Sequence, residues 1–379
     1  RYATAEEGAS RTASPDGSVR PGIAVLPFAN MSADPADEFF ADGITEEIIN
    51  ALAQLPGLRV AARTSCFAFK GKHEDLRAVA DKLGVGTVME GSVRKSGTRL
   101  RITAQLINAG DGCHLWSERY DRELSDVFAM QDEIAGAIAA KFQLALTGKP
   151  APRAAPASPE AYELLLKGRV LLNRRGRAIL ESRACLEQAV ALDAGNAEAH
   201  ALLGDCYRLH AMYGFAPPQE MMPRAQASAE HALALDPEQV EALATLANIA
   251  ATFDRDVIAS AAFTDRALAR DPAHVRALCE RAIWLSLLEA NPGGFEQALL
   301  DLRRARSIDP LNAWAAAMQA FCLSFASRPE EAVIAAREAM ELDPDNFTAH
   351  WTMVLTLAGL ARHDEALAAA EPALLMSGR

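Results

Sequence analysis

The stretch ELDPDNFTAHWTMVL, residues 341–355, recurs in altered form four more times in the second half of this 379-residue chain. The other copies are residues 191–205, 234–248, 269–283 and 307–321. Their aspartates are Asp193, Asp236, Asp271, Asp309 and Asp343, at steps of 43, 35, 38 and 34 residues. Four of the five are followed by proline, which cannot continue a helical hydrogen-bond ladder. The repeat therefore predicts a stack of helical hairpins in which each Asp-Pro pair separates two helices.

Small residues recur at positions where paired helices would cross. They are Ala247, Ala320 and Val354 on the first helices and Ala332, Ala339, Ala366 and Ala373 on the second. A unit near 34 residues built of two helices resembles the tetratricopeptide repeat, and about five such units are expected. The 43-residue step contains a Met/Pro-rich insertion, His210–Pro223, which should lengthen one inter-helix loop. A tolerated insertion is favoured over a functional loop.

Residues 22–147 change period several times, which is typical of mixed secondary structure. The predicted strands are Ile23–Phe28, Leu58–Ala62, Thr87–Arg94, Arg99–Ile107 and Cys113–Tyr120, and the predicted helices are Phe39–Leu55, Leu76–Leu83 and Ser125–Leu146. Within Arg99–Ile107 the apolar residues alternate with polar ones, as in a half-buried antiparallel strand. The expected fold is an α+β domain, one sheet with packed helices, followed by an all-α solenoid.

Composition marks two connecting segments. Residues 1–21 are polar and without period, and are interpreted as a disordered linker left by trimming a longer protein. Residues 148–158 are rich in proline and alanine, which favours a stiff, extended connection. The expected domains are therefore 22–147 and 159–379.

Charge and cysteine content limit the classes of function. The formal net charge is −12, so no concentrated basic face is expected and direct binding of nucleic acid by this chain is disfavoured. The six cysteines form no CxxC pair, which disfavours metal knuckles and a disulfide framework. No apolar run is long enough to span a bilayer. We expect no cofactor and no metal.

Two groups of polar residues could suggest chemistry. Six acids lie close together in GIAVLPFANMSADPADEFFADGITEEIINAL, residues 22–52; they are Asp34, Asp37, Glu38, Asp42, Glu46 and Glu47. A solvated helix start is the favoured interpretation, because carboxylates are stabilised there by free backbone N–H groups. A cation or catalytic site and a partner contact are the alternatives. For Asp111, His114 and Glu118 a structural or surface role is favoured over a triad or metal set.

Four blocks of the first domain carry a family resemblance. They are IAVLPFANMSADPADEFFADGITEEI, GLRVAARTSCFAFKGK, VMEGSVRKSGTRLRITAQLINAGDGCHLWSERYDREL and DVFAMQDEIA. In this order they resemble the TolB-like (FlgO-type) amino-terminal domain that precedes tetratricopeptide repeats in bacterial signalling proteins. The resemblance implies an upstream effector: an adenylate cyclase, a winged-helix or a protein kinase domain. It also implies a membrane tether and a periplasmic location, whereas the unpaired cysteines favour the cytoplasm.

The sequence thus predicts a non-catalytic regulatory module that binds a protein or peptide. No catalytic residue is expected, because no phosphate loop and no kinase or cyclase motif is found. The alternatives are a portion of an adenylate cyclase or of a winged-helix transcriptional regulator. Partners of a solenoid bind on its concave face. The residues predicted to line that face and contact the partner are Asn248, Arg276, Trp314, Phe321 and Trp351.

Overall fold

A computed structural model describes residues 21–72, 74–142, 158–287 and 293–376. The N-terminal segment 1–20 and residues 148–157 of the predicted linker lie outside these ranges. Within them the chain forms a sheet domain followed by a helical array, so the predicted fold class is confirmed.

The sheet domain contains six strands and four α-helices. The strands are β1 (Gly22–Val25), β2 (Ala29–Asn30), β3 (Arg59–Val60), β4 (Thr87–Ser96), β5 (Arg99–Asn108) and β6 (His114–Glu123). The helices are α1 (Glu38–Ala53), α2 (Arg63–Phe67), α3 (Leu76–Leu83) and α4 (Val127–Lys141). The strand order is β3-β1-β4-β5-β6, with β2 beside β4. Strands β1, β3 and β2 run parallel to their partners, and β4, β5 and β6 are antiparallel.

The alternation predicted for β5 is observed. Leu100, Ile102, Ala104 and Leu106 are buried, whereas Arg99 and Arg101 face solvent. The buried face packs on α1 and α4, and the opposite face of the β1–β4 pair packs on α3. Because each side of a pleated strand carries every second residue, this pattern fixes which face the helices cover.

In residues 158–287 and 293–376 the helices form six antiparallel hairpins. Their helices are α5 (Pro159–Arg174), α6 (Ala178–Leu192), α7 (Ala197–Met212), α8 (Pro218–Leu235), α9 (Val240–Ile249), α10 (Val257–Arg270), α11 (Val275–Leu287), α12 (Gly294–Ile308), α13 (Ala313–Phe325), α14 (Pro329–Leu342), α15 (Phe347–Gly359) and α16 (His363–Met376). There is one hairpin more than the five junctions indicate, since α5 and α6 precede the first junction. A π-helical turn, Ala250–Asp254, extends α9.

The junctions behave as the Asp-Pro pattern predicts. Each second helix from α8 to α14 ends one residue before its aspartate. At Asp343 the Oδ1 atom accepts a hydrogen bond from Asp345 N at 3.1 Å, and Asn346 then caps α15 by accepting from Ala349 N. Side-chain acceptors of this kind satisfy backbone donors that a helix start leaves unpaired.

The insertion in the second hairpin departs from the prediction. The α7–α8 loop is only 213–217, against 326–328 in the α13–α14 hairpin. Most of the extra length lies in the helices, because α7 and α8 have 16 and 18 residues whereas α13 and α14 have 13 and 14. The insertion therefore lengthens the two helices of the hairpin more than the loop between them.

The array curls until its second and sixth hairpins meet. The ring of Tyr213, just after α7, lies 5.3 Å from the ring of Phe347 at the start of α15. Phe347 also packs against the apolar core formed by α5 to α8. The concave side of the array is therefore enclosed within one short superhelical turn.

Candidate functional site

A trough with a volume of about 2360 Å³ follows the concave side of the array. Its floor is formed by α7, α9, α11, α13 and α15, the first helices of their hairpins. Part of its wall comes from α1 and residues 60–64 of the sheet domain. The sheet domain thus lies along the concave side of the array.

The first contact between the two domains is made by α1 and α5. Tyr162 and Leu166 of α5 belong to the same apolar core as Ile44 and Ile48 of α1. A Cβ atom added to Gly43 would lie 2.8 Å from the Cβ of Leu166, which is closer than such atoms approach. Glycine at this position therefore permits the close approach of the two helices.

Buried charges reinforce this contact. The guanidinium of Arg169 on α5 lies 2.6 Å from Glu47 and 3.6 Å from Glu46, both on α1. It also lies 2.6 Å from Glu198 on α7. Arg63 binds the other carboxylate oxygen of Glu46 at 2.6 Å. The side chains of Arg169 and Glu47 are 5% and 7% exposed, so this pair is neutralised away from solvent, whereas Glu198 is 41% exposed.

The prediction of a solvated helix start is wrong for half of the six acids. Asp42, Glu46 and Glu47 are buried because α1 packs between the sheet and α5. Asp42 is 2% exposed and accepts hydrogen bonds from Lys70 Nζ at 2.5 and 2.6 Å. Burial raises the pKa of Asp42, and Lys70 opposes the shift. Asp34 behaves as predicted, since it is exposed and caps the turn before α1 by accepting from Ala36 N.

The second contact joins α2 to the turn before α13. Ser65 N and Ser65 Oγ both donate to Asp309 Oδ1, at 3.1 and 2.5 Å, and Leu311 N donates to Ser65 Oγ at 3.0 Å. Ser65 and Asp309 are both buried, and Leu311 packs on the apolar cluster around Cys66. The sheet domain is thus held to the array at two places, α5 and this turn.

One half of the trough floor is a network of charged and amide side chains. Arg208 donates to Asp205 Oδ1 at 2.6 and 2.8 Å, and Arg276 lies 2.7 Å from the same oxygen. Asn248 donates to Glu280 Oε2 at 2.7 Å. Two of the predicted partner residues, Asn248 and Arg276, line the trough and are engaged by side chains of this chain.

The two buried acids of the network have opposite pKa shifts. Burial alone would raise the pKa of Asp205, but Arg208, Arg276 and Arg175 outweigh it and hold the pKa below its usual value. Burial raises the pKa of Glu280, and Arg208 with Arg276 only partly offset it. The arginines thus favour the charged form of Asp205, whereas burial disfavours the charged form of Glu280.

The other half of the floor is aromatic. Phe321 is 7% exposed and stacks on Trp351 with a ring-centroid distance of 5.7 Å and an interplanar angle of 22°. Trp351 is 43% exposed. Trp314 is half-buried and packs against the core of hairpins three to six. Of the three predicted aromatic residues, Trp351 offers the largest free surface to a partner.

Sequence reasoning missed Arg169, Ser65 and Asp309 as contacts between domains. The partners of Arg169 and Ser65 on the other domain are 122 or more residues distant in sequence, so no local pattern signals them. Asp309 occupies a junction position at which Asp236, Asp271 and Asp343 accept from backbone N–H groups of their own turns, which concealed its additional role.

The residues considered for catalysis do not form a site. Asp111 accepts from Cys113 N in a turn, and Glu118 accepts from Tyr120 Oη on β6. In the part of the chain that the structure describes, no group of three or more His, Cys, Asp or Glu side chains is arranged to hold a metal ion. The described helices include none that is long and apolar enough to cross a membrane.

A family model matches residues 20–137, which is the sheet domain. Its description is "HilA/YgeH-like transcriptional regulator, second domain". The family model therefore does not confirm the resemblance to the TolB-like domain.

The chain is also similar to a protein of Rhizobium meliloti (strain 1021) named "Putative adenylate cyclase 3". The two are 47% identical over 188 residues, which is 48% of this chain and 32% of that protein. Among solved structures it is similar to the human IFIT1 dimer with m7Gppp-AAAA, at 17% identity over 66% of this chain and 55% of that one, with a TM-score of 0.49. TTC0263, a thermophilic TPR protein of Thermus thermophilus, matches at 16% identity over 55% of this chain and 98% of its own, with a TM-score of 0.40.

Proposed function

We propose that this chain is a non-catalytic regulatory module that binds a protein or peptide segment in the concave trough. The observation that carries the proposal is the exposed face of Trp351, stacked on Phe321 at one end of a large open trough. Exposed aromatic side chains on a rigid support supply much of the binding energy at protein interfaces. A helical-hairpin array supplies such a support along its concave face.

The two halves of the trough have different roles in this proposal. Asp205 and Glu241 are both paired with Arg276, so these charges are engaged within the chain rather than left for a partner. The aromatic half offers apolar surface whose burial would drive association. Direct binding of nucleic acid is not part of the proposal, because the positive side chains of the floor are paired with carboxylates.

The test uses the complete 379-residue chain and a library of random peptides displayed on phage. A selected peptide is titrated by fluorescence anisotropy against the wild type and Trp351→Ala. We expect the substitution to weaken binding by about thirtyfold, the effect of a strong interface residue. Leu367→Ala is the control, because Leu367 is exposed on α16 and does not line the trough. Equal affinity of the wild type, Trp351→Ala and Phe321→Ala for every selected peptide would contradict the proposal.

A more specific form of the proposal concerns the whole protein. We infer that the module regulates an effector encoded upstream of residue 1, with a TolB-like sheet domain between effector and array. Similarity to a protein named as an adenylate cyclase, of which the aligned part is 32%, supports a cyclase effector. The match to a transcriptional-regulator domain favours a winged-helix effector as the second candidate.

The sequence that precedes residue 1 in the gene separates these two candidates. It also shows whether a membrane span is present, as a tethered, periplasmic module requires; a cytoplasmic module is the alternative. On either outcome, residues 1–379 alone are expected to form no cyclic AMP from ATP and Mg²⁺. Formation of cyclic AMP by this chain would overturn the non-catalytic assignment.

A further inference from the structure

A second cavity lies at the seam where the curled array meets itself. Its volume is about 630 Å³. One wall is the end of α7 and the α7–α8 loop, including Met212, Tyr213 and Phe215, and the other wall is made by α15 and α16. The two walls meet at the ring contact of Tyr213 with Phe347. This cavity, which we call the seam pocket, adjoins the trough. The two share the lining residues Ala211, Met212, Tyr213, Pro218, Phe347 and Trp351.

The side chains that line the seam pocket carry no charge. Besides alanine, proline and glycine positions they are Met212, Tyr213, Phe215, Phe347, Trp351, Val354 and Leu374. Tyr213 has the one hydroxyl among them. The lining is therefore suited to apolar surface.

We propose that the seam pocket binds an uncharged, apolar small molecule of aromatic or hydrocarbon character. Its volume lies within the range of roughly 300–1,000 Å³ usual for small-molecule sites. Four aromatic rings, those of Tyr213, Phe215, Phe347 and Trp351, line the pocket and suit stacking and edge contacts. A charged molecule is disfavoured, because it would lose hydration without gaining a charged partner.

The same chemistry argues against a peptide backbone as the occupant. A buried peptide group needs hydrogen-bond partners, and an unsatisfied one costs about 1–3 kcal/mol. The lining side chains offer two groups that can donate a hydrogen bond, the Tyr213 hydroxyl and the Trp351 indole N–H, which is too few for an extended peptide backbone. A hydrocarbon or aromatic surface needs no hydrogen-bond partner.

A ligand in this position would affect the shape of the array. Its two walls belong to the second and sixth hairpins, which are joined through four junctions of the chain. A molecule that contacts both walls binds the curled array better than an opened one, and so favours the curled state. The seam pocket thus gives the module a site at which a small molecule alters the width of the trough.

The test measures binding of a neutral apolar dye, Nile red, to the complete chain. The wild type is expected to give a saturable rise in fluorescence. Val354→Trp, which fills the pocket, is expected to weaken dye binding at least tenfold. Ile334→Trp is the matched control, because it places the same ring on an exposed part of α14 outside the pocket and should leave binding unchanged. Circular dichroism verifies folding, and Ala370→Leu replaces Val354→Trp if that variant does not fold.

Naphthalene provides a second readout. Because a ligand that binds only the folded state raises its melting temperature, naphthalene should raise the Tm of the wild type and not that of Val354→Trp. Dye binding that does not saturate, or that is equal in the wild type and the pocket variants, overturns the proposal. Displacement of the dye by a trough-binding peptide, together with no effect of naphthalene, also overturns it and assigns the pocket to a peptide side chain.

Discussion

Asp205 is the residue on which the polar half of the trough floor depends. Its carboxylate is buried and lies within 2.6–3.7 Å of three guanidinium groups, those of Arg208, Arg276 and Arg175. An acid in such a place is stabilising only while it is ionised, since its charge compensates the arginines around it. The arginines keep the carboxyl group of Asp205 on the ionised side of its proton equilibrium.

Replacement of this acid should alter how stability depends on pH. Since the folded pKa of Asp205 is depressed, its contribution is present above the unfolded pKa of about 3.9 and is lost as pH falls through the folded pKa. Asp205→Asn should lower the free energy of unfolding by about 3 kcal/mol at neutral pH, and it should lose less additional stability than the wild type upon acidification. Urea unfolding followed by circular dichroism at several pH values measures both effects.

Asp345→Asn is the control for this measurement, because Asp345 is exposed in the turn before α15. It should reproduce the wild-type curve. A pH dependence that is the same in Asp205→Asn and the wild type would show that the arginines do not depress the pKa of Asp205.

At the scale of elements, the packing of α1 on α5 depends on a missing side chain. Gly43 lies within α1, where glycine costs helix stability relative to alanine. It is tolerated because Leu166 of α5 occupies the space that a Cβ would need. Local helix propensity and domain packing thus oppose each other at this position.

Gly43→Ala should therefore destabilise the chain although it improves the helix. The added methyl group must displace Leu166, and overpacking of this kind costs about 1–3 kcal/mol. Gly136→Ala in α4 is the matched control: its Cβ would meet no atom within 4 Å, so it should stabilise the chain by about 0.5–1 kcal/mol. Thermal unfolding compares the two variants, and a stabilising Gly43→Ala would refute the close packing.

Patterns that repeat within one element were readable from the sequence. The alternation of β5 and the Asp-Pro junctions predicted strands and helices because each depends on neighbours a few residues away. The burial of the acids of α1 could not be predicted, because it depends on residues that are distant in sequence. Asp42, Glu46 and Glu47 suggest a solvated face until Lys70, Arg63 and Arg169 are brought against it, and those lie 17 to 123 residues along the chain. The register of the repeat predicted which residues face the trough. It did not predict which side chains of this chain would bind them.

At the scale of the whole molecule, the sheet domain and the array act as one body held at two separate places. The α1–α5 contact lies at the first hairpin, and the Ser65–Asp309 contact lies before the fifth. A domain fastened at both places limits how far the array can open. The Ser65–Asp309 contact, with three hydrogen bonds, is the smaller of the two contacts and therefore the easier to break. Access to the trough is expected to depend on it.

Ser65→Ala should release this second contact. Loss of Oγ leaves Leu311 N and one bond to Asp309 unsatisfied, at a cost of about 1–3 kcal/mol. We expect faster amide exchange at Leu311 and a larger radius of gyration by small-angle X-ray scattering. Ser117→Ala, on the exposed edge strand β6, should change neither quantity. Exchange at Leu311 that matches the wild type would show that the two domains are held together without this serine.

The meeting of Tyr213 and Phe347 has a consequence for how the array comes apart. In an open row of repeats each unit is supported only by its neighbours, so the terminal units fray first and independently. Here the final hairpin packs against the second, so the final hairpin is supported by more than its neighbour in sequence. Unfolding of the final hairpin then removes a contact of the second hairpin. The repeats are therefore expected to unfold cooperatively rather than one after another.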